Sequence, residues 1–266
     1  MKKIIFVKLG GSLITDKEKP YTAKIEVIKN LTQQIASALK ENPSLKLVIG
    51  NGGGSFPHYP AVKYKMTEGI KNEEQKMGFC QVQDAAAKLN RLIVNEFLNL
   101  NVKAISVNPS SIIITKRGKI KTFFAEPIIK FLKLGLTPVI YGDIVYDEVL
   151  GAKIISTEQL LTNLAIIFKE KGLGVDQVIH NGTTKGVLDN KGNLIPFITK
   201  KNFQQIKSFF TKVKGFDVTG GMIHKVEEAI ILADYGIKTI IINGNAKKNL
   251  LKDALLGLKV EGTAIS

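Results

Sequence analysis

Short apolar runs alternate along this chain with longer segments in which apolar residues recur every three to four positions. Runs at Lys3–Lys8, Leu45–Ile49, Lys103–Val107, Thr137–Ile140, Gln177–Ile179 and Lys238–Ile242 are too short for helices and read as buried strands. After the first of them, Ile25–Leu39 carries Ile28, Leu31, Ile35 and Leu39 on one helical face. Glu73–Asn99 is a longer helical pattern crossed by Gly78, and Glu158–Lys171 and Gly221–Tyr235 are two more. Strands that alternate with helices predict an α/β protein with a central, mainly parallel sheet. Three pieces break the alternation and read as β-hairpins: Ser111–Thr122 around Arg117-Gly118, Val145–Ile155 turning near Gly151, and Val187–Ile195 turning at Asp189-Asn190-Lys191-Gly192. Hairpins of this kind form lids over a site on a parallel sheet. No internal repeat, low-complexity tract or polar linker appears, so residues 1–266 read as one domain, with halves meeting near residue 175.

Composition narrows the picture. With 266 residues and 44% hydrophobic content the chain can bury a sizeable core. It has no run of about 18 uncharged apolar residues, so no membrane span is expected. Lys2-Lys3 followed by Ile4–Val7 starts like a signal peptide, but Lys8 and Gly10-Gly11 interrupt the run early, and a first strand is expected instead. The single cysteine, Cys80, cannot form an intramolecular disulfide, which fits a reducing cytoplasm. It lies in the apolar stretch Met77-Gly78-Phe79-Cys80 and is expected to be buried. The formal charge of +15 is spread along the chain, with few interleaved aromatics. That pattern suits small phosphorylated substrates and gives no sign of nucleic-acid binding.

The candidate chemistry sits at strand ends, where open α/β sheets bind ligands. Lys8-Leu9-Gly10-Gly11-Ser12 follows the first strand, and Gly52-Gly53-Gly54-Ser55 follows the second. Consecutive glycines let backbone N–H groups converge on an anion and let a phosphate come close. One such loop is an ordinary tight turn; two at neighbouring strand ends suggest a site for two phosphates. Neither loop fits the P-loop or the dinucleotide-binding spacing. Lys17 lies just past the first loop, with Asp16 placed to cap the next segment or orient it, and His58 lies three residues past the second. Gly142 and Asp143 end the apolar Pro138–Ile140 run, and Asp143 is placed to orient cations or hold Mg²⁺. Thr219-Gly220-Gly221-Met222-Ile223-His224-Lys225 opens a helix whose N-terminal amides, with Lys225, make a third anion site. His180 ends a strand and His224 sits in the first turns of a helix; both read as structural. There is no nucleophile-elbow serine and no clustered His/Cys metal signature, so no protein-built metal site is expected. Loops rich in N–H donors together with lysines are what phosphoryl transfer needs, because that reaction depends on alignment and charge neutralisation.

These motifs resemble the amino acid kinase superfamily: Lys-Leu-Gly-Gly-Ser-Leu-Ile-Thr-Asp-Lys at 8–17, Gly-Gly-Gly-Ser-Phe-Pro-His at 52–58, Pro-Val-Ile-Tyr-Gly-Asp-Ile-Val at 138–145 and Asp-Val-Thr-Gly-Gly-Met-Ile-His-Lys at 217–225. Within it, the Ile-Thr-Asp-Lys extension and the histidine after Gly-Gly-Gly-Ser-Phe look most like the isopentenyl phosphate kinases. The resemblance implies a three-layer αβα sandwich, a cytoplasmic homodimer, and ATP with Mg²⁺. It implies that Lys8, Gly10, Gly11, Ser12, Lys17, Gly220, Gly221 and Lys225 face the nucleotide and the transferring phosphoryl group. It implies that Gly53, Gly54, Ser55 and His58 hold the acceptor phosphate, and that Gly142 and Asp143 border it, with Asp143 organising the lysines. Lys8, Lys17, His58, Asp143 and Lys225 would then be the catalytic set, in an acceptor lobe of about residues 1–174 and a nucleotide lobe of about residues 175–266. The isoprenoid tail would lie against Met77, Phe79 and Val82. The chain departs from the family pattern at Asn51, where His is usual, at Pro57, where Gly is usual, at 181–187 and at Ser156-Thr157-Glu158. A fosfomycin-type kinase for another small phosphate or phosphonate, and a non-catalytic nucleotide or anion sensor on the same fold, are the competing readings.

Overall fold

The computed structural model describes residues 4–212, 221–245 and 249–266, without the side chains of 209–212. Eight strands form the main sheet. They are β1 (Ile4–Leu9), β2 (Lys46–Asn51), β3 (Ala104–Val107), β6 (Thr137–Tyr141), β9 (Val175–Gly182), β10 (Phe197–Ile198), β11 (Lys238–Asn243) and β12 (Thr263–Ile265). Their order is β10-β12-β11-β9-β1-β2-β6-β3, and only the β11–β12 pair is antiparallel. A smaller sheet orders β5 (Lys119–Phe123), β4 (Ile113–Lys116), β7 (Asp143–Asp147) and β8 (Gly151–Ile155).

β1 starts in the middle of the main sheet. The chain then builds outward through β2, β3 and β6 on one side, and through β9 and β11 on the other. The order therefore reverses between β1 and β9, which opens a crevice at their carboxyl ends. Strand side chains alternate between faces. Val7, Leu9, Ile49 and Ile179 pack beneath α2 (Ile25–Glu41), α4 (Glu73–Asn99) and α9 (Leu250–Leu255). Phe6, Val48, Ile140 and Val178 pack on the other face, beneath α5 (Glu126–Lys133) and α6 (Thr157–Glu170). α8 (Gly221–Asp234) extends that layer through Val226 and Ala229 against Ile241 and Ile265. These are the three layers expected.

The long periodic segments match their expected bounds closely, and α6 begins at a capping box between Ser156 and Gln159. Three local expectations change. The 187–195 segment turns back at Asp189–Gly192 as expected, but its pairing is shorter than a pair of strands: an antiparallel bridge between Leu188 and Leu194, flanked by the Ile195 amide donating to the Val187 carbonyl at 2.8 Å and the Asp189 amide to the Asn193 carbonyl at 2.9 Å. Cys80 is exposed, because the buried face of α4 runs through Gln75, Gly78 and Val82 and turns positions 77 and 80 outward. A third helix near the glycine loops, α3 (Ser55–Lys63), was not apparent from a segment rich in glycine and proline. Pro57 falls in its first turn, where a missing N–H costs nothing. It closes on Gly53, where an added Cβ would come within 2.2 Å of the Pro57 ring.

Candidate active site

The two glycine loops lie against each other. A Cβ on Gly11 would come within 2.5 Å of the Gly54 amide nitrogen, and one on Gly10 within 2.7 Å of the Asn181 carbonyl oxygen. Thr15 joins the loops: its hydroxyl donates to the Gly11 carbonyl at 2.8 Å and accepts the Ser55 amide at 3.1 Å. The glycines at 11 and 52 are therefore required by backbone packing. Gly54, at φ +54°, turns the chain into α3. The amides of Gly53 and Gly54 donate no hydrogen bond among the described residues, and they line a cleft.

That cleft holds about 210 Å³ and is lined by Gly52, Gly53, Gly54, Pro57 and His58 on one side. Gly142, Asp143 and the end of the β7–β8 hairpin at Ile154 and Ile155 form another wall, and the α6 N-terminus from Ser156 to Glu158 a third. Asn51 ties the walls together. Its carbonyl accepts the Thr157 hydroxyl at 2.8 Å and the Gly142 amide at 3.1 Å. The Asn51 side chain is fully buried, and its oxygen accepts from Asn90 of α4 at 2.9 Å. This departure from the family pattern thus belongs to a core network under the site.

The charged groups sort as follows. Lys8 is nearly buried and pairs with Glu158. Burial alone would raise the Glu158 carboxyl, but the charge and hydrogen bond of Lys8 prevail and hold it down at about 2. The partner of Lys8 is therefore Glu158, not the expected Asp143. Asp143 instead accepts from the amides of Ile144 at 2.8 Å and Ser110 at 3.3 Å. Burial pushes its carboxyl up to about 7, against the pull of those two bonds. Lys225, half-buried in α8, lies close enough for its charge to act on Glu158 and on His180. His58 is exposed on α3 at the cleft wall, and Ser55 is buried with its hydroxyl unpartnered among the described residues.

Not every expected residue joins. Lys17 is exposed on the bend after α1 (Gly11–Ile14), away from the cleft lining. Asp16 accepts from the Glu18 amide at 3.1 Å, so it caps the bend and leaves Lys17 alone. Ser12 is half-buried in α1, Gly221 opens α8, and Thr219 and Gly220 lie outside the described residues. Val82 lines the cleft, whereas Met77 points to solvent and Phe79 packs against the small cluster of Ala61, Met66, Val82, Ile144 and Ala152. In the sequence Glu158 figures only within the Ser156-Thr157-Glu158 departure from the family pattern, with no role of its own; the structure places it in the first turn of α6, a helix that follows a hairpin and opens on Ser-x-x-Gln, as the partner of Lys8.

A parallel sheet with a phosphate-sized, glycine-walled cleft at its strand ends and buried lysine charge beside it defines a phosphotransferase site. The chain belongs to the amino acid kinase family, which matches residues 3–243. It is similar to the isopentenyl phosphate kinase of Methanocaldococcus jannaschii, at 35% identity over 98% of both chains. It is also similar to that of Methanothermobacter thermautotrophicus, at 32% identity over 99% of both. A crystal structure of an isopentenyl phosphate kinase superimposes with a TM-score of 0.81 at 29% identity, covering 98% of this chain and 100% of the other.

Proposed function

We propose that this chain transfers the terminal phosphoryl group of ATP to isopentenyl phosphate, giving isopentenyl diphosphate. The observation that carries this reading is the cleft itself. Gly53, Gly54 and His58 line it, the two glycine amides donating no hydrogen bond among the described residues, and Val82, Ile154 and Ile155 supply apolar walls for a short hydrocarbon tail.

A phosphate monoester has its second pKa near about 6, so its oxygen is already an anion at neutral pH and needs no general base. The work left to the protein is alignment and charge neutralisation. In this reading Gly53, Gly54, Ser55 and His58 hold the acceptor phosphate, and Gly142 and Asp143 close its wall. Asp143, largely protonated below about pH 7, does not repel it. Lys8 and Lys225 neutralise charge on the transferring group beside Gly10, Gly11 and Ser12, and Gly221, at the start of α8, opens the nucleotide side. Lys17 joins only by closing inward from its exposed bend. Among the described residues no group of three His, Cys, Asp or Glu could hold a metal ion. Mg²⁺, which in nucleotide sites is held mainly by phosphate oxygens and one or two carboxylates, would take most of its ligands from the nucleotide and would supply charge neutralisation there. The acceptor lobe in this reading is about residues 1–174 and the nucleotide lobe about residues 175–266. The active form is a cytoplasmic homodimer.

The test is direct. Purified protein with ATP, Mg²⁺ and isopentenyl phosphate should release ADP and form a diphosphate visible by ³¹P NMR. A panel that includes a phosphonate acceptor separates the substrates. Turnover of the phosphonate without turnover of isopentenyl phosphate would overturn the acceptor assignment.

A further inference from the structure

His180 stands apart from the other histidines. It is 2% exposed, and neither ring nitrogen has a hydrogen-bond partner among the described residues. A buried donor and acceptor left unpaired destabilise a fold, and an aliphatic side chain would avoid that cost. Val178, on the same face of β9, is such a residue. An unpaired polar group kept in a core calls for a functional reason.

Its position supplies one. In the parallel register His180 is the β9 partner of Lys8, so the two side chains share the face that α6 covers. Ile241 of β11 flanks it on the other side. Among the described residues the charged groups that act on it are Lys8 from β1, Glu158 from α6 and Lys225 from α8. Burial first, then the two lysine charges, push the imidazole down to about 3 against the pull of Glu158. The ring is therefore neutral at physiological pH, with one lone pair to offer. It sits where the strand order reverses.

We propose that His180 is a positioning residue for Lys8: when nucleotide phosphates draw the ammonium off Glu158, the imidazole lone pair accepts one of its N–H bonds and holds it in the crevice. A carboxylate partner cancels much of the Lys8 charge. A neutral acceptor fixes the ammonium and leaves its charge whole for the phosphoryl oxygens. Lys225, whose charge already acts on Glu158, compensates the carboxylate after the exchange. The inference rests on the phosphoryl-transfer reading above.

Steady-state kinetics of His180→Leu and His180→Gln test it. His180→Leu should lose at least about tenfold in kcat, with both KM values within about twofold of wild type. Its melting temperature should equal or exceed that of wild type. His180→Gln, whose amide oxygen still accepts, should restore most of the rate. A wild-type kcat in the Leu variant, or an equal loss in both variants, would overturn the proposal while leaving the kinase reading intact. A second measurement needs no variant. The ¹⁵N resonance of the unprotonated His180 ring nitrogen should move upfield when a non-hydrolysable ATP analogue binds, as that nitrogen becomes an acceptor. An unmoved resonance at saturating nucleotide would also overturn it, whatever the acceptor proves to be.

Discussion

Gly11 and Gly52 lie backbone to backbone: a Cβ on Gly52 would stand 2.6 Å from the Gly11 amide nitrogen, and one on Gly11 3.3 Å from the Gly52 carbonyl carbon. No rotamer relieves such a contact, since backbone meets backbone. Gly52→Ala should therefore push the two loops apart and destabilise the protein by about 1–3 kcal/mol. Gly182, with nothing within 4 Å of its added Cβ, is the control, and Gly182→Ala should stay within about 0.5 kcal/mol of wild type. Urea unfolding of both variants checks this. Equal stability of the two would remove the close approach of the loops.

The Lys8–Glu158 pair should be visible in acid. The Glu158 carboxyl is held at about 2 in the folded protein against an ordinary 4.5. The unfolded chain takes up the proton first, so the pair stabilises fully above about pH 4.5, and its contribution is lost as pH falls toward 2. Glu158→Gln strands the Lys8 charge and should cost about 3 kcal/mol or more at neutral pH. The gap between wild type and variant should close as the pH is lowered through that window. A gap that stays constant from neutral pH into acid would show that Glu158 does not carry the pair.

The sequence told more about the scaffold than about the electrostatics. Period and strand length placed α2, α4, α6 and α8 and the six central strands, because burial on a sheet leaves a direct imprint on apolar spacing. α3 stayed hidden, since Gly52–Gly54, Pro57 and Pro60 read as loop until tertiary packing sets the helix start. The cleft residues Gly53, Gly54, His58, Gly142 and Asp143 were legible from strand-end motifs. Glu158 was legible only as a departure from the family motif, without its role, and His180 read as structural. Their importance comes from register across β1 and β9 and from the docking of α6, which bring together residues far apart in the chain. Met77 and Cys80 failed for a simpler reason: an apolar residue beside a helix stripe is not on it.

Asp143 gives a pH dependence of opposite sign. Its carboxyl lies at about 7 folded against an ordinary 3.8. The native state keeps a proton that the unfolded chain releases. Stability from this site is full below about 3.8, declines as pH rises, and is lost once pH passes about 7. Asp143→Asn keeps the shape and cannot ionise. Melting temperatures measured across that range should show the Asn variant gaining on wild type as pH rises. A difference that does not change with pH would place the ionised carboxylate in an environment that tolerates it.

His58 is the one titratable side chain of α3 that lines the cleft, and its exposure leaves it free to meet a ligand. Pro57 does not displace it. The proline lies in the first helical turn and packs on Gly53, which fixes the direction in which α3 leaves the second glycine loop. A hydrogen bond to a charged phosphate contributes about 1.5–3 kcal/mol. His58→Ala should therefore raise the acceptor KM by about 10- to 100-fold, with the ATP KM within about twofold, because the proposed function assigns the nucleotide to the other loop. His58→Gln, which can still donate, should recover part of the loss. If instead the ATP KM rose as far as the acceptor KM, the division of labour between the two glycine loops would be wrong, and His58 would belong to the transferring phosphate shared by both.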